Sequence, residues 1–300
     1  MAWKVRVGSQ AGLTAGTPAT GAAARGDESV SPVPAARRVR RWGLSLRSLG
    51  LGALSLAVVT AVWQLIGSHV NPIYVSYPSA IVQSFLNLVK NGSLWPAFAD
   101  TMEPMLLGYV GGVVVGIPLG LLLGRYRVLE RLIGMYVTAG YATPLVALVP
   151  LFVLWFGLNF TVKAWVVFVM ATFPVVINTW VGAKNVPRTL VEVAQSFVAG
   201  GPAIMTKVVL PSTLPYIMTG LRLSIGRAVI GVVIAEFYTA LSGLGGIIVN
   251  SQQRFDTATM MVAILILLAL GVVLTSLVGY IESRVAPWQS ALSGRDEDGA

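Results

Sequence analysis

Few side chains in this sequence have the chemistry to make or break a bond, and their types narrow the function quickly. There is no cysteine and a single histidine, His69, so thiolate nucleophiles, disulfides and multi-histidine metal sites are excluded. Ser68-His69 and Ser242 could suggest an intramembrane serine protease, but that chemistry needs Ser and His within hydrogen-bond reach inside the membrane. His69 falls at the end of an apolar run and Ser242 in a glycine-rich loop. No G-x-x-x-x-G-K-[ST] phosphate loop occurs, so any ATP hydrolysis tied to this chain belongs to another polypeptide. What remains are charges in unusual places. Arg222, Arg227 and Glu236 lie in or beside one apolar run, and Thr189-x-x-Glu192 has the pattern of a capping box. A charge at membrane depth is costly and faces a pathway or a partner.

The elements that must position these residues follow from composition. Of 300 residues, 55% are hydrophobic and 11% charged, whereas a soluble domain carries about 25% charged residues. The solvent for most of this chain is lipid. The net charge of +9 is not the footprint of a nucleic-acid partner, because the basic residues cluster between apolar runs, as orientation charges do. Runs of about 20 apolar residues predict an all-α membrane protein with six transmembrane helices, near 49–68, 102–123, 132–156, 164–182, 214–236 and 259–280. The second carries Gly108, Gly111, Gly112, Gly116 and Gly120 at near-helical spacing, which permits close helix contact. The third is interrupted by Pro144 and Pro150 and is expected to be kinked or broken. Between the first and second, Pro78 opens an amphipathic pattern with Ile81, Phe85 and Leu88 on one face, read as a helix on the membrane surface.

The Lys/Arg distribution sets the orientation. With both ends inside, the cytoplasmic segments hold the Arg37–Arg47 group, Arg125, Arg127, Arg131, Lys184, Arg188, Lys207 and Arg284, against Lys90, Lys163 and Arg254 outside. Residues 1–47 lack an apolar core with a cleavage site and read as a disordered cytoplasmic tail, with a lipid-binding polybasic segment as the alternative. Residues 48–285 form the membrane domain and 286–300 a short cytoplasmic tail.

One cytoplasmic segment, 183–212, is long and patterned. Leu190, Val193, Ala194 and Phe197 fall at i, i+3, i+4 and i+7 and make one apolar helical face. Gly200-Gly201-Pro202 breaks that helix, and Pro202 suits the first turn of a second short helix expected to end before Pro211. Two short helices held between spans suit docking into a groove on a partner.

Glu192-Val193-Ala194 followed by Val208-Val209-Leu210-Pro211 resembles the "EAA" loop of binding-protein-dependent ABC importer permeases, and the nineteen-residue step from Glu192 to Pro211 fits it. Tyr77-Pro78-Ser79, Pro150-Leu151-Phe152, Trp155-Phe156-Gly157, Leu221-Arg222-Leu223, Ala235-Glu236 and Ser242-Gly243-Leu244-Gly245 look like the nitrate/sulfonate/taurine branch. The resemblance covers roughly 49–285. Two positions depart from it: Val193 replaces an Ala, and Val198 stands where the family has a glycine, which moves the expected positive-φ bend to Gly200-Gly201.

The resemblance implies a type I ABC importer permease fold with cytoplasmic coupling helices, in the bacterial inner membrane. Glu192, Ala194, Phe197, Gly200, Gly201, Leu210 and Pro211 would couple to a P-loop ATPase present in two copies, which carries ATP and Mg; no cofactor or metal belongs to this chain. A periplasmic or lipid-anchored binding protein would deliver the solute to a pore made by two permease copies. Glu192 could instead only cap its own helix. Arg227 is a candidate pathway residue that attracts an anion. Glu236, near the outer mouth, is read as a hydrogen-bonding or gating residue. An ion-coupled secondary transporter is the alternative function, although it leaves the patterned loop unexplained.

Overall fold

The computed structural model describes residues 46–239 and 242–285. The tail expected over 1–47, apart from its last two residues, and the tail over 286–300 lie outside the described residues. In chain order the helices are α1 (Leu46–His69), α2 (Pro78–Lys90), α3 (Leu94–Arg125), α4 (Arg127–Ala142), α5 (Val149–Phe156), α6 (Phe160–Lys184), α7 (Arg188–Ser196), α8 (Gly201–Ile204), α9 (Leu210–Thr239), α10 (Gly243–Gln253) and α11 (Thr257–Val285). A 3-10 turn, Leu145–Leu148, precedes α5, and a π-helical stretch, Met205–Val209, joins α8 to α9.

Among the described residues five helices are long and apolar enough to cross a membrane: α1 from Gly50, α3, α6, the continuous rod Gly201–Thr239, and α11. A sixth apolar stretch is a bent pair, in which α4 and the segment Leu145–Phe156 meet at 89°, the geometry of a broken span or a re-entrant loop. The break follows from Pro144, whose ring disfavours helical backbone at the residue before it. Thr143 is accordingly extended, at φ −67° and ψ 135°.

The centre of the bundle is α3 packed on α6, with α9 packed on α6 and also touching α3. The α3 glycines make that approach possible. A Cβ at Gly108 would lie 2.4 Å from the Ala164 carbonyl oxygen, and one at Gly120 would lie 2.7 Å from that of Val176. Met105, Val167, Ala228, Val232 and Leu270 form a buried cluster joining α3, α6, α9 and α11. By contrast α1 is almost wholly exposed. It is tied to the start of α2 by Trp63, whose Nε1 donates to the Ser76 carbonyl at 2.9 Å. Gln64 exchanges two hydrogen bonds with Ser79, which explains part of the Tyr77-Pro78-Ser79 pattern.

Three boundaries differ from the sequence reading. The second span begins at Leu94, well before residue 102. The glycine-rich loop after α9 contains a helix, α10. The second coupling helix does not stop before Pro211: the Leu210 amide reaches back to the Met205 carbonyl, and the rod continues. A π turn shifts the carbonyls out of register with the turn that follows, and that local geometry lets a proline ring enter a helix without breaking it.

Candidate functional site

The segment between α6 and α9 folds as a projection with one covered and one bare side. Ala183, Ile204 and Val209 are buried together, with Val191, Ala194 and Val208 packed against them. On the bare side stand Leu190, Val193, Phe197 and Val198, with Phe197 83% and Val198 92% exposed. The apolar face read from the sequence is therefore split: Ala194 packs inward and the larger residues remain uncovered. Glu192 is exposed on α7, while Gly200, Gly201, Leu210 and Pro211 lie at or after the bend. The capping box does not form, because Pro187 occupies the N-cap and no side chain caps the helix.

The bend itself sits at Val198. Its φ is +58°, whereas Gly200 is extended at φ −71° and ψ 164°, so the positive-φ position has not moved to the glycines. The chain needs left-handed backbone there to return Ala199 to the helix: the Ala199 amide donates to the Ala194 carbonyl at 3.1 Å. A β-branched residue in that region is strained, at a cost of roughly 1–2 kcal/mol. Val198→Gly is expected to relieve this, for a net gain of up to about 1 kcal/mol once the entropy of glycine is subtracted. Slower limited proteolysis within residues 197–201 would confirm it, and faster cleavage would contradict it.

A second cluster lies at the other end of α9. Glu236 and Thr101 are fully buried and Lys163 nearly so. One carboxylate oxygen, Oε1, accepts from the Thr101 hydroxyl at 2.8 Å and from Lys163 Nζ at 3.3 Å. The other, Oε2, accepts the Gly245 amide at 2.8 Å. Lys163 also donates to Ser242 Oγ at 3.0 Å, and the Leu244 amide donates to Thr101 Oγ1 at 2.8 Å. The carboxylate and the threonine thus satisfy amides at the start of α10, which helix geometry leaves without partners. Negative charge is also favoured at that helix end. The glycines of Ser242-Gly243-Leu244-Gly245 now have a reason. Gly243 has φ +87°, and a Cβ on it would lie 1.8 Å from Glu236 Oε1; one on Gly245 would lie 2.6 Å from Glu236 Cβ. The network joins α3, α6, α9 and α10.

Arg227, midway along α9, is half-buried. Its guanidinium lies over the ring of Tyr141, 5.3 Å from the centroid, on the last turn of α4 before the break. Among the described residues it forms no ion pair, whereas Arg222 pairs with Glu282 on α11. Arg227 is left with a fork of donors held by an aromatic face, an arrangement that suits a planar or tetrahedral oxyanion.

Residues 116–287 match the family described as the binding-protein-dependent transport system inner membrane component. The chain belongs to that family. The permease is 32% identical over 245 residues to a putative aliphatic sulfonates transport permease protein, SsuC, of Bacillus subtilis, covering 81% of this chain and 89% of the relative. It is 26% identical over 260 residues to the taurine transport system permease protein TauC of Escherichia coli, covering 84% and 94%. With the nitrate import permease protein NrtB of Leptolyngbya laminosa the identity is 29% over 245 residues, covering 78% and 87%. Its fold matches a chain of the inward-facing MetNI methionine ABC transporter at TM-score 0.53 and 20% identity, over 66% of this chain and 98% of that one. The permease is thus a multi-pass inner-membrane subunit of an ABC importer with the type I fold, and its partners include an ATPase and a binding protein.

Two residues of the buried network escaped the sequence reading. Thr101 carries no signal in an apolar context. Lys163 was counted as an outer-loop charge, and the usable clue was Asn159: its side chain accepts the Thr161 and Val162 amides, so α6 starts early enough to carry Lys163 into the bundle.

Proposed function

We propose that two copies of this permease form the pore of the importer, with both termini cytoplasmic, and that each copy seats its α7–α8 projection in a cleft of one of two ATPase subunits. The observation that carries this reading is the bare apolar face of α7, crowned by Phe197, on a projection held between two spans. Leu190, Val193, Phe197 and Val198 stand uncovered together rather than singly, and a contiguous apolar face of this kind suits a groove on a partner. ATP and Mg belong to the ATPase, whose closure would move α7 and rock the bundle as a rigid body, and this chain makes and breaks no bond. The basic residues at the α3–α4 turn and around α7 support the orientation.

The experiment is native mass analysis of the gently solubilised complex. Two permease chains with two ATPase chains, losing the ATPase on Glu192→Lys, support the reading. The permease alone, with solute uptake driven by an ion gradient in liposomes, overturns it.

For the solute we propose a small oxyanion such as nitrate, a sulfonate or taurine, delivered by a periplasmic or lipid-anchored binding protein. Support comes from the names of the relatives and from Arg227, whose guanidinium has no carboxylate partner among the described residues. Arg227→Gln is expected to leave assembly and basal ATPase activity intact and to reduce uptake about tenfold or more, the loss of one charge-assisted hydrogen bond. Unchanged uptake by this variant refutes the role of Arg227.

A further inference from the structure

Beside α7 lies a cavity of about 400 Å³ whose charged lining is four basic residues against two acidic ones. Arg125 and Arg127 reach it from the α3–α4 turn, Lys184 from the end of α6 and Arg188 from the start of α7, with Glu130 and Glu192 as the acids. Lys184 is already paired with Glu130. Arg125, Arg127 and Arg188 form no ion pair among the described residues, so three guanidiniums share one cavity with a single uncommitted carboxylate. Like charges brought together around one void raise its potential and favour a bound counter-ion. Arg125, Arg127 and Arg188 are exposed, as Arg131 is, but they line one cavity and Arg131 does not; orientation charges act equally well when dispersed, so topology alone does not require the convergence.

The position of the cavity narrows its ligand. Two helices long and apolar enough to cross a membrane end at it, α3 at Arg125 and α6 at Lys184, so its ligand is sought among groups found beside the ends of spans. Arginine forks match the paired oxygens of a phosphate. We infer that this cavity binds the phosphate of an anionic membrane lipid, bridging Arg125 and Arg127 on the α3–α4 turn to Arg188 on α7. The bridge fixes the inner side of α7 while the outer side is free for a partner. Its effect on transport rests on the reading of α7 as the coupling helix; the binding itself does not.

The test is made on the full permease–ATPase complex in nanodiscs, with uptake measured in parallel. Vesicle lipid containing phosphatidylglycerol is compared with phosphatidylcholine alone, and retained anionic lipid is counted by native mass analysis. Wild type and Arg131→Gln are expected to retain phosphatidylglycerol, and Arg125→Gln combined with Arg188→Gln to bind it about tenfold or more weakly, from the loss of charge-assisted contacts. The remaining basic residues, Arg127, Arg131, Lys184 and Lys207, preserve the orientation signal. Competition with inorganic phosphate distinguishes the sources: lipid retained in excess phosphate supports the headgroup, and lipid displaced by it shows that the same site takes soluble phosphate. Equal retention by the double variant, or no preference for phosphatidylglycerol, overturns the site. So does loss of lipid when the ATPase docks, which would mean that an acidic group of the ATPase fills the cavity. Intact ATP-driven uptake alongside any of these refutes the lipid site and leaves the importer reading standing.

Discussion

Lys163→Met is expected to destabilise the permease by about 3–5 kcal/mol, the cost of removing one partner from a buried ion pair. The substitution leaves the Glu236 carboxylate fully buried with only the Thr101 hydroxyl and the Gly245 amide as donors. A lone carboxylate in that setting is held by two hydrogen bonds against the loss of its hydration. Glu236→Gln alone strands the other charge, with Ser242 Oγ as its remaining partner. The double variant Lys163→Met, Glu236→Gln removes both charges, and the glutamine oxygen can still accept from Gly245. It is therefore expected to recover most of the stability lost by either single variant, a strongly non-additive result. Thermal unfolding of the purified complex in mild detergent, run for all four proteins, measures this cycle. If the single variants are as stable as wild type, or the double variant no better than the singles, the network does not hold α10 to the bundle through a buried ion pair. The same cycle bears on transport. Because the cluster pins α10 to α3, α6 and α9, a stable double variant with impaired uptake would assign the charges a role in movement beyond holding the fold.

How far these features could be read in advance depends on how each is encoded. Lipid-crossing helices are written in long apolar runs, so the five single-helix crossings and the break in the third apolar run were legible, with Pro144 one of the two prolines that marked it. The projection at α7 was legible too, since Leu190, Val193 and Phe197 repeat at helical spacing within a polar stretch. The backbone state of Val198 was not: a β-branched residue argues against positive φ, and only the closure of the turn onto Ala194 imposes it. The continuation through Pro211 was likewise hidden, because a π turn leaves no residue signature. Glu236 stood out as a charge in an apolar run, but its partners come from 135 residues upstream, at Thr101, and from Lys163, which composition assigned to the surface. Long-range polar pairing has no period to detect. The glycines of Ser242-Gly243-Leu244-Gly245 were visible as a pattern, and their reason, room for a carboxylate at a helix start, appears only with the fold.

Phe197→Ala is expected to release the ATPase while leaving the permease folded. An aromatic at the centre of a docking surface typically contributes about 2 kcal/mol or more when truncated, which is roughly thirtyfold in affinity. Phe197 is 83% exposed in the isolated chain, so its truncation removes almost no internal packing and the unfolding temperature of the permease should not move. Ile204 makes the contrast. It is buried with Ala183 and Val209 beneath the projection, and Ile204→Ala is expected to cost about 2–5 kcal/mol of permease stability through the cavity it leaves. The two variants therefore separate a contact made to a partner from one made within the chain. ATPase retention on a tagged permease, titrated by dilution, reads the first; thermal unfolding reads the second. If Phe197→Ala holds the ATPase as tightly as wild type, the bare face of α7 is not where the nucleotide-driven stroke enters the membrane domain. If it releases the ATPase and ATP-driven uptake falls with it, the stroke enters through that face, and the strained turn at Val198 sets the angle at which Phe197 is presented.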